Sequence, residues 1–403
     1  MKNRTSLWAL YDFANSLAYI NVSFYFALWF VSDLKAPDMW VSIAVATTTI
    51  LLLLVLPSVG RWSDRLGRRM PFLIGSSLLA MAALATLGFI APNVHELTPS
   101  LTALIIFLYG AFQFFYQAAL GFYLAFTRDL SKHSSAERVS SFGLAAGQLG
   151  NVVGLIVMLP IANNLGRPWA FVIAAGLFLL FVLPTFLGLK DPKKEVVQGA
   201  VGVSLTQTLS LRRYPNVLRY LFAYYFFADA ILTLQLFFAL YFQEVGGFSD
   251  SLKTLAGVVG LLFAVLGALL SPWVARRLKS TKRAIELFIV LWTIFLIALA
   301  FATSLASFIA IAILNGFAFG ALFTLSRAFY TQITPEGEQG RFFGIYILFE
   351  RAASILGPLV WSSLGLVLLS WGPDRYRVSV ASLAVMVAIS YFIMRGVKEH
   401  KTA

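Results

Sequence analysis

The chain has 403 residues, of which 59% are apolar and only 12% charged, and its mean hydropathy is +0.82. Soluble domains carry about 25% charge, so an ordinary water-soluble globule is excluded. Cysteine is absent, which removes disulfides, thiolate nucleophiles and cysteine-ligated metals.

His95, His133 and His400 are too scattered for a histidine metal centre, so neither metal nor cofactor is expected. A helix needs about 20 apolar residues to cross a bilayer. In chain order, apolar runs of that size cover 13–32, 39–60, 70–94, 97–127, 139–166 and 168–189. After a middle loop at about 189–216 come 220–243, interrupted by Asp229, then 254–275 and 287–326. The last of these is twice the length of one span and is split near Ser304 and Ser307. A run from near Arg341 to Pro373, containing Glu350 and Arg351, and a final run at 378–394 complete twelve spans. The expected fold is all-α and membrane-embedded, with an N-terminal six-helix half at 1–188, a cytoplasmic loop at 189–216 and a C-terminal six-helix half at 217–403. The first run is longer than a signal core and is expected to be retained as a span.

With both termini inside, 25 of the 31 Lys and Arg residues fall in inner segments and 5 in outer ones, with Arg351 left within a span. That bias sets the orientation. It also accounts for the net charge of +13 without a nucleic-acid partner. The halves look duplicated. Residues 24–30 (FYFALWF) and 236–242 (LFFALYF) lie 212 positions apart, and the same offset brings Leu66 onto Leu278. Repeated halves are a common architecture of secondary transporters.

Several polar groups interrupt the spans. Asp12, Asn15, Ser16 and Tyr19 share one face of the first helix at i, i+3, i+4 and i+7, and such a face cannot turn to lipid. Asp229 lies mid-span, with Tyr225 and Thr233 one turn away on either side. Gln113, Tyr116 and Gln117 share a face of the fourth helix; Gln148 and Asn151 do so in the fifth, and Asn315 lies in the tenth. Such groups either bind a polar solute or a cation, or bond neighbouring helices. Arg351 needs an anionic partner, either Asp229, Asp12, Glu350 or a substrate carboxylate; Arg327 is a second candidate for an anionic group. Small residues form a stripe on the fifth helix (Gly143, Gly147, Gly150, Gly154) and another on the eighth (Gly257, Gly260, Ala264, Gly267, Ser271). The two stripes are expected to meet across the halves.

Between the second and third runs stands GRWSDRLGRR at 60–69, a basic loop holding one acid. This pattern resembles the signature loop of the major facilitator superfamily of transporters. The resemblance implies twelve helices in two halves, alternating access, and a cytoplasmic gate. In that gate Gly60, Asp64, Arg65, Gly67 and Arg68 act with Asp129 at the end of the fourth helix and the helix start around Gly344. YDFANSxxY at 11–19, FYQA at 115–118, RVSSFG at 138–143, Asp229-x-x-x-Thr233, SRxxY at 326–330 and FFGxY at 342–346 are similar to a narrower branch. This is the vacuolar amino-acid effluxer-like family named after a fungal autophagy-related permease. It implies an amino-acid-like solute and coupling to protons or monovalent cations. A monomer in a bacterial cytoplasmic membrane is expected, surrounded by lipid, with both termini cytoplasmic. A lipid or hydrophobic-drug carrier of the same fold is the alternative within transport. A non-transporting membrane sensor or assembly partner is the alternative outside it. No P-loop (GxxxxGK[ST]) is present and no nucleophile–base set is evident, so neither ATP drive nor catalysis is expected.

Overall fold

In hydrocarbon every backbone amide must find its partner within the chain, and a helix does so residue by residue. The computed structural model describes residues 2–131, 136–191, 210–335 and 339–399. Twelve of its helical segments are long and apolar enough to cross a membrane, and no strand occurs among the described residues. The protein is an all-α, multi-pass integral membrane protein.

The first six helices are α1 (Lys2–Ala27, continued by a π-helical turn at Leu28–Asp33), α2 (Met39–Leu66), α3 (Met70–Ile90), α4 (Pro99–Ser131), α5 (Ala136–Leu165) and α6 (Trp169–Gly188). The second six are α7 (Pro215–Glu244), α8 (Asp250–Arg277), α9 (Thr281–Phe301), α10 (Leu305–Ile333), a broken α11 made of α11a (Gln339–Ala352) and α11b (Leu356–Val367), and α12 (Arg375–Arg395). The split expected near Ser304 is a helix boundary. Ser304 Oγ accepts from Ser307 N while Ser307 Oγ accepts from Ser304 N, both at 3.2 Å, a reciprocal cap that starts α10.

The chain forms two compact units. One comprises Met1–Ala36 and Ile43–Gly202, the other Pro37–Ser42 and Val203–Ala403. In the first, α1 packs on α5 and α6, and α3 packs on α4 and α6. In the second, α12 packs on α7, α9 and α11b, while α10 packs on α8 and α9. Large apolar side chains such as Leu54, Phe107, Leu187, Leu269, Phe301 and Phe392 stand on exposed helix faces. In hydrocarbon such faces cost nothing, so the transmembrane helices wear their leucines outward.

Two expectations need correction. Most of the basic segment at 60–69 is not loop: α2 continues to Leu66, and the turn is only Gly67 to Arg69. Arg68 N reaches back to Ser63 O at 3.3 Å across Gly67, whose φ is +61°. This is a Schellman ending that favours glycine. The small-residue stripes, in turn, are each spent inside one unit. An added Cβ on Gly150 would lie 2.2 Å from Phe13 O, and one on Gly154 would lie 2.9 Å from Leu17 O, so the α5 stripe faces α1. Cβ atoms on Gly267 and Gly320 would lie 1.9 Å from Phe317 O and 1.8 Å from Ala264 O, so the α8 stripe faces α10. The reason is backbone approach: α10 carries its own Gly316 and Gly320, and two small faces close further than a small face against a large one.

Candidate functional site

Each unit holds its own polar cluster. In the first, the face of α1 expected to avoid lipid turns onto α4 and α5. Asn15, buried to 2% exposure, donates from Nδ2 to the Tyr116 hydroxyl at 3.1 Å. The Tyr116 ring stacks on Tyr19 at 4.4 Å between centroids, and Gln113 Nε2 donates to the Tyr109 hydroxyl at 2.9 Å. Asp12 lies beside the Tyr123 phenol. The α5 backbone comes so close that a Cβ on Gly147 would sit 2.9 Å from Asp12 Oδ2 and 3.1 Å from Ser16 Oγ. Tyr123 is held between Trp8 (4.7 Å) and Tyr11 (5.0 Å) in a parallel stack, and the Tyr11 hydroxyl pairs with Ser77 Oγ at 2.8 Å. Gln117 is half-buried on the same helix, and Asn151 Nδ2 donates to Gln148 Oε1 at 3.4 Å on α5.

The structure thus brings Asp12, Asn15, Ser16, Tyr19, Gln113 and Tyr116 together. Tyr109 and Tyr123 belong to the same cluster and went unread. Extending the α4 stripe one turn before Gln113 and two turns beyond Tyr116 would have found them, because 109, 113, 116 and 123 share a helix face.

In the second unit, Asp229 is fully buried on α7. Its Oδ2 accepts from Gly357 N at 2.8 Å, in the first turn of α11b. A carboxylate there meets unsatisfied amides and the positive end of the helix dipole. Thr233 Oγ1 donates to the Asp229 carbonyl at 2.7 Å. A Cβ on Gly357 would lie 2.1 Å from Thr233 Oγ1 and 2.8 Å from Asp229 Oδ1, so only glycine fits. Asp229, Thr233 and Gly357 together hold the break in the eleventh helix.

Arg327, the second candidate for an anionic group, lies inside α10 and within the span Leu305–Ile333. It pairs with Glu350 of α11a at 3.3 Å. The apolar run ends at Ser326, and the helix continues two turns further, to Ile333. Around the pair stands an aromatic wall, with Tyr224 and Tyr346 at 4.6 Å and Tyr330 and Tyr346 at 5.0 Å. Arg351 is half-buried in the last turn of α11a.

Of the gate residues, Gly60 is buried in α2, Arg65 and Arg68 are exposed, and Gly344 is partly buried in α11a. The side chains of Asp64 and Asp129 lie outside the described residues. A neighbour not foreseen is Asp191, just after α6, whose Oδ1 accepts from Arg69 N at 2.8 Å and Met70 N at 2.9 Å. It caps the start of α3.

Twelve helices long and apolar enough to span a membrane fall into two six-helix sets, and each set holds a buried polar cluster. The model of the Major Facilitator Superfamily matches residues 9–358, with a further match at 281–403, and the chain belongs to that family of transporters. YxiO, an MFS-type transporter of Bacillus subtilis, is 25% identical over 417 residues, covering 97% of this chain and 94% of the relative. Autophagy-related protein 22 of Cryptococcus neoformans is 26% identical over 272 residues, covering 60% of this chain and 49% of that protein. The chain therefore matches about half the length of this fungal relative. Among solved structures, the nucleoside transporter NupG superposes with a TM-score of 0.78 at 14% identity, covering 99% of this chain and 100% of that one. A D-xylose–proton symporter superposes at 0.76 and 12% identity, covering 98% and 97%. At such identities these two show the fold.

Proposed function

We propose that this transporter moves a small polar, amino-acid-like solute by alternating access, driven by a proton or monovalent-cation gradient. The observation that carries the reading is the α1 cluster. There a carboxylate, an amide and a hydroxyl (Asp12, Asn15, Ser16) line up against the phenols and amide of α4 and the bare backbone of α5 at Gly147. An intramembrane acid is costly without a neutralising partner, and such residues mark ion and substrate pathways. Asp12 is the coupling group in this reading. Asn15, Ser16, Tyr19, Gln113, Tyr116 and Gln117 supply hydrogen bonds to the solute.

Asp229 serves differently. Its bond to the α11b amide makes it a positioning residue for the broken helix, and discontinuous helices are a recurrent feature of carrier sites. Loss or gain of a proton there would change the grip on α11b. Arg351 would meet an anionic group of the solute. Gly60, Asp64, Arg65, Gly67, Arg68, Asp129 and Gly344 form the cytoplasmic gate. The protein acts as a monomer in a bacterial cytoplasmic membrane, with both termini inside.

Uptake into proteoliposomes under an imposed pH gradient tests this, using amino acids beside sugars and nucleosides. Amino acids are expected to accumulate, and Asp12→Asn is expected to abolish gradient-driven accumulation. That variant should still bind the solute, seen as a ligand-dependent rise in melting temperature. Gradient-driven uptake that survives in Asp12→Asn would remove Asp12 from coupling. Uptake confined to sugars or nucleosides would replace the solute class.

A further inference from the structure

The loop before α2 holds an acid that the carrier reading does not use. Asp38 is only 5% exposed, at the end of the helix opposite the arginine-rich turn. It stands among residues of the second unit, to which Pro37–Ser42 belong, while α2 continues among residues of the first. A Cβ on Gly365 of α11b would lie 3.1 Å from Asp38 Oδ2. One turn into α2, Ser42 Oγ lies 2.7 Å from Pro358 O and 2.6 Å from Ser362 Oγ, which fastens the start of α2 to α11b.

The charged and titratable groups facing Asp38 are Arg375 and Tyr376, in the first turn of α12. Arg375 donates to the Tyr376 hydroxyl at 2.9 Å and lies over its ring at 4.7 Å. Trp361 of α11b is a neutral neighbour. Glu244, at the end of α7, bears on Tyr376, and Asp374 is paired with Arg377 at 3.0 Å. Asp38 Oδ2 and Arg375 Nε are buried without a hydrogen-bond partner, while the Trp361 indole and the Met39 amide lie close enough to the carboxyl to favour its ionised form, against the larger effect of burial. An ionised carboxylate with an unmet oxygen is an expensive thing to bury, and a neutral one is much less so.

We propose that Asp38 is a proton-binding latch on the face opposite the basic turns: protonated, it keeps the start of α2 seated on α11b and α12; ionised, it leaves that seat for water. The site takes a proton from that face, and it is independent of which solute is carried. Burial raises Asp38 to about 6, with Arg375 pulling the other way. A hydrated aspartate titrates near 3.9, so the seated form binds the proton more tightly than the released form. The seat is therefore at full strength below about pH 4 and weakens as pH rises through about 6. Between pH 4 and pH 7 the seated-to-released ratio should fall roughly 50-fold.

The absence of native cysteine makes the test direct. Spin labels at Trp40→Cys and Leu369→Cys, both exposed positions, report the distance from the start of α2 to the approach to α12 in the full-length protein in lipid. The expected result is a single short distance at pH 4.5 and a growing longer population toward pH 8, with its midpoint between about 5 and 6. Asp38→Asn, close in shape and always neutral, should hold the short distance at every pH. Arg375→Gln, which removes the cation that favours ionisation, should move the midpoint upward. A pH response retained in Asp38→Asn would overturn the proposal. So would a midpoint unmoved in Arg375→Gln, or a distance that does not change between pH 4.5 and 8 in the otherwise native chain.

Discussion

Between α2 and α3, Arg68 N bonds Ser63 O at 3.3 Å across Gly67 at φ +61°; between α8 and α9, Ser280 N bonds Ala275 O at 3.2 Å across Lys279 at φ +51°. The two turns stand 212 residues apart, the offset of the sequence repeat, and each helix that follows is capped by an acid from after the unit's last helix. Asp191 accepts from Arg69 N and Met70 N, and Glu399 accepts from Lys282 N at 3.2 Å and from Ser280 Oγ. Arg4 donates to Lys190 O and Asn216 to Lys398 O, again at matching places. The backbone solution was kept in both copies, while the side chains that serve it drifted. One copy kept glycine at the left-handed position; the other tolerates lysine.

Packing diverged further than the turns did. The first unit draws its tightest approach from α5 glycines on α1; the second draws it from α8 and α10 glycines on each other. A graded set of substitutions would sharpen or break this contrast. The largest effect is expected from Gly320→Ala, whose Cβ would strike the Ala264 carbonyl, a backbone atom that cannot step aside. A loss of about 3 kcal/mol is expected, read as a large drop in melting temperature in detergent. Gly143→Ala meets the edge of the Trp8 ring at 2.4 Å, a side chain that yields more readily than backbone but is held by its stack on Tyr123, so about 2 kcal/mol is expected. Equal losses would show that the two stripes are the same device.

The end caps come next. Asp191→Ala and Glu399→Ala should each destabilise by about 1 kcal/mol, with the fraying seen as faster amide exchange in the first turns of α3 and α9. Equal protection changes would mean the duplicated cap kept its strength through the change from Asp to Glu. Exchanging the turn residues tests the backbone argument. Lys279→Gly is expected to raise stability by about 1 kcal/mol and Gly67→Lys to lower it by a similar amount. The smallest effect, about 0.5–1 kcal/mol, is expected for Ser304→Ala, which removes one arm of the α10 cap. An unchanged α10 start by amide exchange would mean packing alone begins that helix.

The polar clusters were partly readable and partly not. Asp12, Asn15, Ser16 and Tyr19 announce themselves by helical spacing, because a polar stripe in an apolar helix has nowhere to go but inward. Tyr123 was missed because a tyrosine in a membrane span reads as apolar until its ring is seen between Trp8 and Tyr11. The partner of Arg327 was missed because Glu350 lies on another helix, and separation along the chain says nothing of which turns face each other. Asp229 drew attention as a lone mid-span acid, yet its bond is to the amide of Gly357, and no residue pattern marks a backbone donor.

By itself, the sequence determined the number of spans and the duplication. These depend on length against bilayer thickness and on residue-by-residue repetition, both of which act along the chain. Only the tertiary structure decided which helix each glycine stripe meets, that Asp229 holds the break in α11, and that Asp38 is buried against α11b and α12. Those outcomes depend on how closely two backbones can approach and which free amides or orphaned polar atoms then come within reach, and that is set by packing in three dimensions rather than by any spacing in one.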